Sequence, residues 1–529
     1  MMRNFRLCFV VFVVAVLAGA CAKEQSESYD QYEDRSLEAW IAQHRPELLG
    51  NRQEFGAASY YIDVLDAGRP DAAPVNDTVC WVKFDFSGRD LGGNIILTRR
   101  AAEARLAGTF TRYTHYVPYF RYCGTENGNL PEATYLAMRN EQTLGEEYFE
   151  RYKNDPERRL VSREVLLRKG AKVVLYCPSR VVGDLSGTGG YEGQYALSSG
   201  KPVRIEMTVC DTIKNPVAAE GSAVDAFCRD AQNGGLRIYD APEKDETSSA
   251  AVLFGVLPAD PADADHPYNI AERWVNVCDS VPQLYADFRY APGRKLHFAE
   301  PYVAGVEPYR DAASIEALDR AIDEALLARF HGGDAASVPD VRTLEADSVG
   351  LSGKAKIWYI GRFLDGFVFD TNIDEVKKIV YGEVKKQGSA AEYTPEDGGM
   401  VQAWYYTVPR LKFGQWATIV TVSTHGYGAQ GKQGSTTTST SSSSNGYTQS
   451  YYDYLNYLNY INSYYGSSYG SYYPGYYGGY MNGYYDPYYS GYMPSYDTSD
   501  TETVTTVSTS TEILPFTPLL FQIYIEPAE

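Results

Sequence analysis

Basic side chains are in deficit in this chain: 48 Lys and Arg stand against 68 Asp and Glu, a formal charge of −20 with a pI near 4.9. Duplex DNA or RNA calls for a basic face and an anionic membrane surface for a polybasic one, so charge-driven binding to either is excluded. Histidine is sparse. The six copies (His44, His115, His266, His297, His331 and His425) are scattered, with no His-Glu-x-x-His helix to hold zinc. None of the eight cysteines forms a Cys-x-x-Cys pair, which removes a structural zinc site and a thioredoxin-type redox centre. No apolar run reaches the roughly 20 residues needed to span a bilayer. The stretch from Gly426 to Lys432 nears the spacing of a phosphate-binding loop, but Gln433 stands where magnesium needs Ser or Thr. Asp260, Asp263 and Asp265 lack the glycine and closing Glu of a calcium loop. No metal and no cofactor is expected.

What is present is a chain of 529 residues, 44% apolar, with room for three or four units at roughly 150 residues each. Arg3 and Arg6 precede an apolar run from Leu7 to Leu17, the build of an export signal. Small residues then lead to Cys21, resembling a bacterial lipobox in which Cys21 carries the lipid anchor, although Leu17 sits four places before Cys21, not three; a plain secretory signal is the alternative. The chain beyond is expected outside the cytoplasm, in the cell envelope, held to the membrane by that anchor. Cys80, Cys123, Cys177, Cys210, Cys228 and Cys278 are then either disulfide partners, with 15 connectivities open, or buried thiols.

Residues 22–50 read as a tether with a short helix over Ser36–His44, stopped by Pro46. Strand patterns occur at 60–64, 79–84, 170–177, 202–210, 355–369, 415–422 and 519–526, and an amphipathic helix at 313–330. Residues 216–340 read as a connector carrying that helix. Residues 433–510 are foreign in composition: 20 of the 47 tyrosines lie between Tyr447 and Tyr496, among Ser, Thr, Gly and Asn. With few aliphatic residues this segment is expected as a low-complexity insertion, either disordered or an aromatic contact surface.

Residues 341–529 carry an ordered series of motifs. Trp358-Tyr359-Ile360-Gly361 is followed by Leu364-Asp365-Gly366-Phe367-Val368-Phe369-Asp370. Then come Met400-Val401-Gln402-Ala403-Trp404, Gly414 to Tyr427-Gly428, and finally Ile513 with Pro518-Leu519-Leu520-Phe521. This series resembles the FKBP-type peptidyl-prolyl cis-trans isomerase family. The resemblance implies an α+β fold in which an antiparallel sheet wraps a short helix. It also implies a pocket of Tyr359, Phe369, Asp370, Trp404, Tyr427 and Phe521, walled by Met400, Val401, Ile379 and Ile513. Tyr427 would donate its hydroxyl to a substrate carbonyl, and Asp370 would orient Tyr359. Such a pocket needs no nucleophile, metal or cofactor.

Residues 51–215 resemble a second, degenerate copy, in which Phe86 stands for Tyr359, Ile96 for Phe369, Leu97 for Asp370, Val182 for Tyr427 and Ile205 for Phe521. The expectation is two FKBP-like domains, the first without activity. The function implied is prolyl isomerisation or chaperoning of proline-containing exported polypeptides. The alternative is a non-catalytic binding subunit of an envelope protein complex, and a third reading takes the tyrosine-rich segment as a sugar-binding adhesin element.

Overall fold

The computed structural model describes residues 29–55, 58–75, 81–123, 132–182, 201–233, 274–277, 283–298, 312–341, 343–384, 386–396, 398–434 and 510–528. The export signal with Cys21, Cys80, Cys278, the acidic trio at 260–265 and nearly all of the tyrosine-rich insertion lie outside the described residues.

Two seven-stranded antiparallel sheets share one strand order. The first contains β1 (Arg52–Phe55), β2 (Ala58–Asp66), β3 (Trp81–Asp90), β4 (Ile95–Thr98) and β5 (Tyr119–Tyr122). After a separate two-stranded ladder of β6 (Gln142–Thr143) and β7 (Glu164–Val165), β8 (Lys172–Cys177) and β9 (Val203–Ile213) complete it in the order β1-β2-β8-β9-β3-β4, with β5 also on β3. The second sheet contains β10 (Val275–Asn276), β11 (Leu284–Asp287), β12 (Ala355–Arg362), β13 (Val368–Thr371), β14 (Ala391–Tyr393), β15 (Trp416–Thr421) and β16 (Leu519–Pro527). Its order is β10-β11-β15-β16-β12-β13, with β14 also on β12. The correspondence reaches single residues. Gly88 faces Leu97 on one side and Ile205 on the other, as Gly361 faces Asp370 and Phe521. Both hairpins shift register at that glycine. The fold is α+β and internally duplicated.

Strand alternation explains what covers each sheet. Along β16, Leu519, Phe521, Ile523 and Ile525 join the inner core, which also holds the helix Gln402–Thr407 through Ala403 and Trp404. On the opposite parity Leu520 and Tyr524 are apolar beside Gln522 and Glu526, so the outer face needs cover over part of its width. The helix Ala312–His331 supplies part of it, setting Ile322 and Leu326 against Ile360, Val368 and Trp416. The helix Pro216–Arg229 supplies another, setting Val224 and Phe227 in a cluster with Val420 and Leu520. Asn215 caps that helix by accepting from the Ala218 N–H, with Pro216 at its first turn.

These contacts correct the expected domain plan. The stretch 216–340 is not a connector: it holds β10, β11 and both covering helices of the second sheet, so that unit begins near 216 and not at 341. Residues 29–50 are likewise more than a tether. The helix starts at Tyr29, seven residues earlier than expected, and one helical turn apart Leu37 and Ile41 sink into the first core, where Leu48 joins them. Of the cysteines, Cys177 and Cys210 are free buried thiols, which removes them from any disulfide set. Burial pushes both thiols up, Cys210 to about 12, so neither is a reactive thiolate.

Candidate active site

The inner face of the second sheet gathers an aromatic bowl. Tyr359 comes from β12, Phe369 from β13, Phe521 from β16, and Trp404 from the helix Gln402–Thr407. Their rings meet edge to face: Tyr359 with Trp404 at 5.2 Å and 67°, Trp404 with Phe521 at 5.5 Å and 81°, Phe521 with Phe369 at 5.8 Å and 84°. Each such pair contributes about 0.5–1.5 kcal/mol beyond its buried area, so the chain of rings is rigid. Phe369 reaches Phe521 by crossing over β12. A Cβ on Gly361 would stand 2.6 Å from the Phe369 ring, so only glycine fits beneath it. Gly88 has the same duty under Leu97, at 2.7 Å.

One carboxylate faces this apolar surface. The Tyr359 hydroxyl donates to Asp370 Oδ2 at 2.8 Å. Burial, reinforced by the Asp370 charge, raises the Tyr359 hydroxyl well above the ordinary phenol range, and the same two causes push Tyr427 up to about 12. Both phenols therefore stay protonated as donors. At the floor, Trp404 is 5% exposed and its indole N–H has no acceptor among the described residues. A buried donor left open is costly and is a feature that a bound carbonyl would relieve.

The structure brings Tyr359, Phe369, Trp404, Tyr427 and Phe521 into one cluster with Met400, Val401 and Ile513, and ties Asp370 to it through Tyr359. Ile513 arrives from beyond the insertion and is pinned by an antiparallel bridge to Lys432. Ile379 is a correction. It packs outward, in the cluster of Ile322, Leu326 and Val376, away from the bowl. Two residues along a helix turn a side chain by roughly 200°, so Tyr381 takes the bowl side instead. Its hydroxyl donates to the Val368 carbonyl at 3.2 Å, and its phenol is raised by burial and then by Asp370. Cys21 lies outside the described residues.

Sequence reasoning also missed what the first unit contributes at the rim. Tyr113 stacks on Tyr381 at 4.1 Å and 10°, and His115 stacks on Phe363 while meeting Asp365 at 2.6 Å. Arg99 and Tyr119 both reach Glu512, the neighbour of Ile513. The only available signal was compositional, an aromatic-rich loop at 110–118 without strand or helix periodicity.

The strand order, the wrapped helix and the bowl define a two-unit α+β protein, the architecture that the sequence resemblance implies. Solved structures similar to it include FKBP proteins and a peptidyl-prolyl cis-trans isomerase. The three FKBP domains of wheat FKBP73 are 8% identical and cover 88% of this chain and 94% of theirs, with a TM-score of 0.18. FkpA from Escherichia coli is 13% identical, covering 40% of this chain and 73% of its own, TM-score 0.20. A peptidyl-prolyl cis-trans isomerase from Pseudomonas syringae is 12% identical, covering 35% and 98%, TM-score 0.20. The site assignment rests on strand register and ring geometry, not on these scores. No family model matches the chain, and no curated protein does.

Proposed function

We propose that the second unit is a peptidyl-prolyl cis-trans isomerase site for exported polypeptides, and that the first unit is a non-catalytic copy. The supporting observation is the Tyr359–Asp370 pair set among edge-to-face aromatics, at positions where the first unit holds Phe86 and Leu97. Rotation about an X-Pro bond has a barrier of about 18–20 kcal/mol because twisting breaks amide resonance. The planar amide is the more polar state. An apolar ring-lined site with hydroxyl donors at its edge therefore binds the twisted form better than the planar one. In this reading Phe369, Trp404 and Phe521 receive the proline ring, Tyr427 donates to the preceding carbonyl, and Asp370 fixes Tyr359. The cellular part of the proposal is a lipid anchor at Cys21 that places the protein in the cell envelope, tested by loss of membrane association in Cys21→Ala.

The test is catalysed isomerisation of a proline peptide by the full chain, with Tyr427→Phe and Phe369→Ala beside it. Activity that falls in both variants, with folding intact, supports the proposal. A folded chain without activity refutes it.

A non-catalytic binding role is the second reading, favoured by one feature. Phe369 and Trp404 are only 4% and 5% exposed, and Tyr113 of the first unit sits on Tyr381 beside them. Under that reading the chain holds proline peptides tightly and turns none over.

A further inference from the structure

Where the two units meet, a cavity of about 290 Å³ opens, at the small end of the volumes that bind small molecules and at the kind of boundary where they bind. Its apolar wall is shared, with Pro118 and Phe120 from the first unit and Phe363, Leu514, Phe516 and Pro518 from the second. The charges that line it are nearly all spoken for. Arg99 meets Glu512 at 3.2 Å, His115 meets Asp365 at 2.6 Å, and Glu220 accepts from the Ser423 N–H and hydroxyl at 2.9 Å each.

Lys83 is the exception. No hydrogen bond or ion pair reaches its ammonium among the described residues; its Nζ lies only over the Phe120 ring, 5.8 Å from the centroid. The carboxylate nearest it on its own sheet, Asp211, is held by Lys169 at 2.7 Å. Burial accordingly pulls the Lys83 ammonium below its ordinary range. Asp211 faces Lys83 across the ladder and acts on its charge without bonding it, so a largely buried ammonium is left with room to hydrogen-bond an anion.

The geometry points to a ligand site between the units that takes a small monocarboxylate with an apolar, ring-bearing body. Its carboxylate would pair with Lys83, and its ring would lie against Phe120, Pro118 and Phe516. This site is separate from the aromatic bowl and does not depend on isomerase activity. A dianion is disfavoured, because Arg99 and His115 already meet Glu512 and Asp365, which leaves Lys83 alone to hold one carboxylate.

The experiment uses the full chain with 3-phenylpropanoate as the probe and 3-phenylpropan-1-ol as its uncharged twin, read by calorimetry and by the rise in Tm that native-state binding produces. The acid is expected to bind saturably and about tenfold or more tightly than the alcohol, the difference a charged hydrogen bond makes. Lys83→Met should abolish that preference. Ala219→Trp, on the exposed side of the cavity, leaves Lys83 in place and should block both probes. Lack of saturable binding to the folded wild type overturns the proposal. So does equal affinity for acid and alcohol, or undiminished acid binding by either folded variant.

Discussion

The duplicated fold allows the Tyr359–Asp370 pair to be tested by removing it in the way the first unit already has. Tyr359→Phe takes a donor at 2.8 Å from a half-buried carboxylate. A hydrogen bond to a charged group is worth about 1.5–3 kcal/mol, so stability should fall by about that much. Asp370→Leu leaves the half-buried Tyr359 hydroxyl without its acceptor and should cost about 1–3 kcal/mol. Together the two changes install Phe and Leu, the residues that Phe86 and Leu97 present at the same register positions on β3 and β4. Exchanging both partners for apolar groups is close to neutral, so the double variant should lie within about 0.5 kcal/mol of the wild type. With the double variant near zero, the coupling energy is the sum of the two single losses, about 2.5–6 kcal/mol. Denaturant unfolding followed by tryptophan fluorescence suits the measurement, because Trp404 lies 5.2 Å from the Tyr359 ring. All three variants should lose isomerisation, including the stable one, which separates loss of the site from loss of the fold. Additive effects of the two single changes would show that the pair is not an energetic unit and would remove the basis for the role given to Asp370.

Gly361→Ala forces a methyl into the Phe369 ring and should destabilise the second unit by about 1–3 kcal/mol; a Tm unchanged from wild type would mean the ring yields freely. Asp323, on the helix Ala312–His331, has its carboxyl pushed up to about 6, first by burial and then by Asp319, against the pull of the Gly293 backbone and Arg362. The folded chain therefore binds this proton more tightly than the unfolded chain, whose carboxyl has the ordinary value of 3.8. The associated stability is complete below that value and is lost as pH rises through 6. Relative to Asp323→Asn, the wild type should lose at most about 3 kcal/mol between about pH 4 and pH 7, and parallel stability curves would refute the assignment. Glu512→Gln strips the carboxylate from Arg99, which is 5% exposed, and should loosen the joint between units. Calorimetry should show the two unfolding transitions drawing apart, and a single unchanged transition would count against that tie.

The bowl was legible because its geometry is mostly that of one hairpin. Tyr359 and Asp370 are neighbours through a short turn, so spacing along the chain fixes spacing in space. Phe521 and Ile513 lie beyond the tyrosine-rich insertion, yet β16 still pairs with β12 from Leu520 to Pro527 and with β15 from Leu519 to Tyr524, since an insertion in a loop leaves strand register untouched. Ile379 failed for the converse reason. On a helix a slip of two residues reverses the face, and spacing alone could not choose between Ile379 and Tyr381. The role of 216–340 was harder to see, although a signal existed. Trp358 and Ile360 are as apolar as Ile357 and Tyr359, so β12 already asked for cover on both faces. What the pattern did not carry was which segment would provide it.

The two units hold the same strand order and the same obligatory glycines while differing at the few side chains that make the bowl polar at its edge. Under the proposed function, fold and activity therefore separate within one chain. The first unit shows that the sheet closes well around Phe86, Leu97 and Ile205, all at most 1% exposed. Stability thus gives no reason for Tyr359 and Asp370 to be where they are. Under the proposed function, a carboxylate and its phenol partner set into an aromatic surface that folds without them are accounted for by what they bind. For the same reason, installing Tyr and Asp at Phe86 and Leu97 alone should not create a second site. Val182 and Ile205 would still stand where Tyr427 and Phe521 supply the donor and the ring, and the grafted pair would be two buried polar groups with nothing to hold.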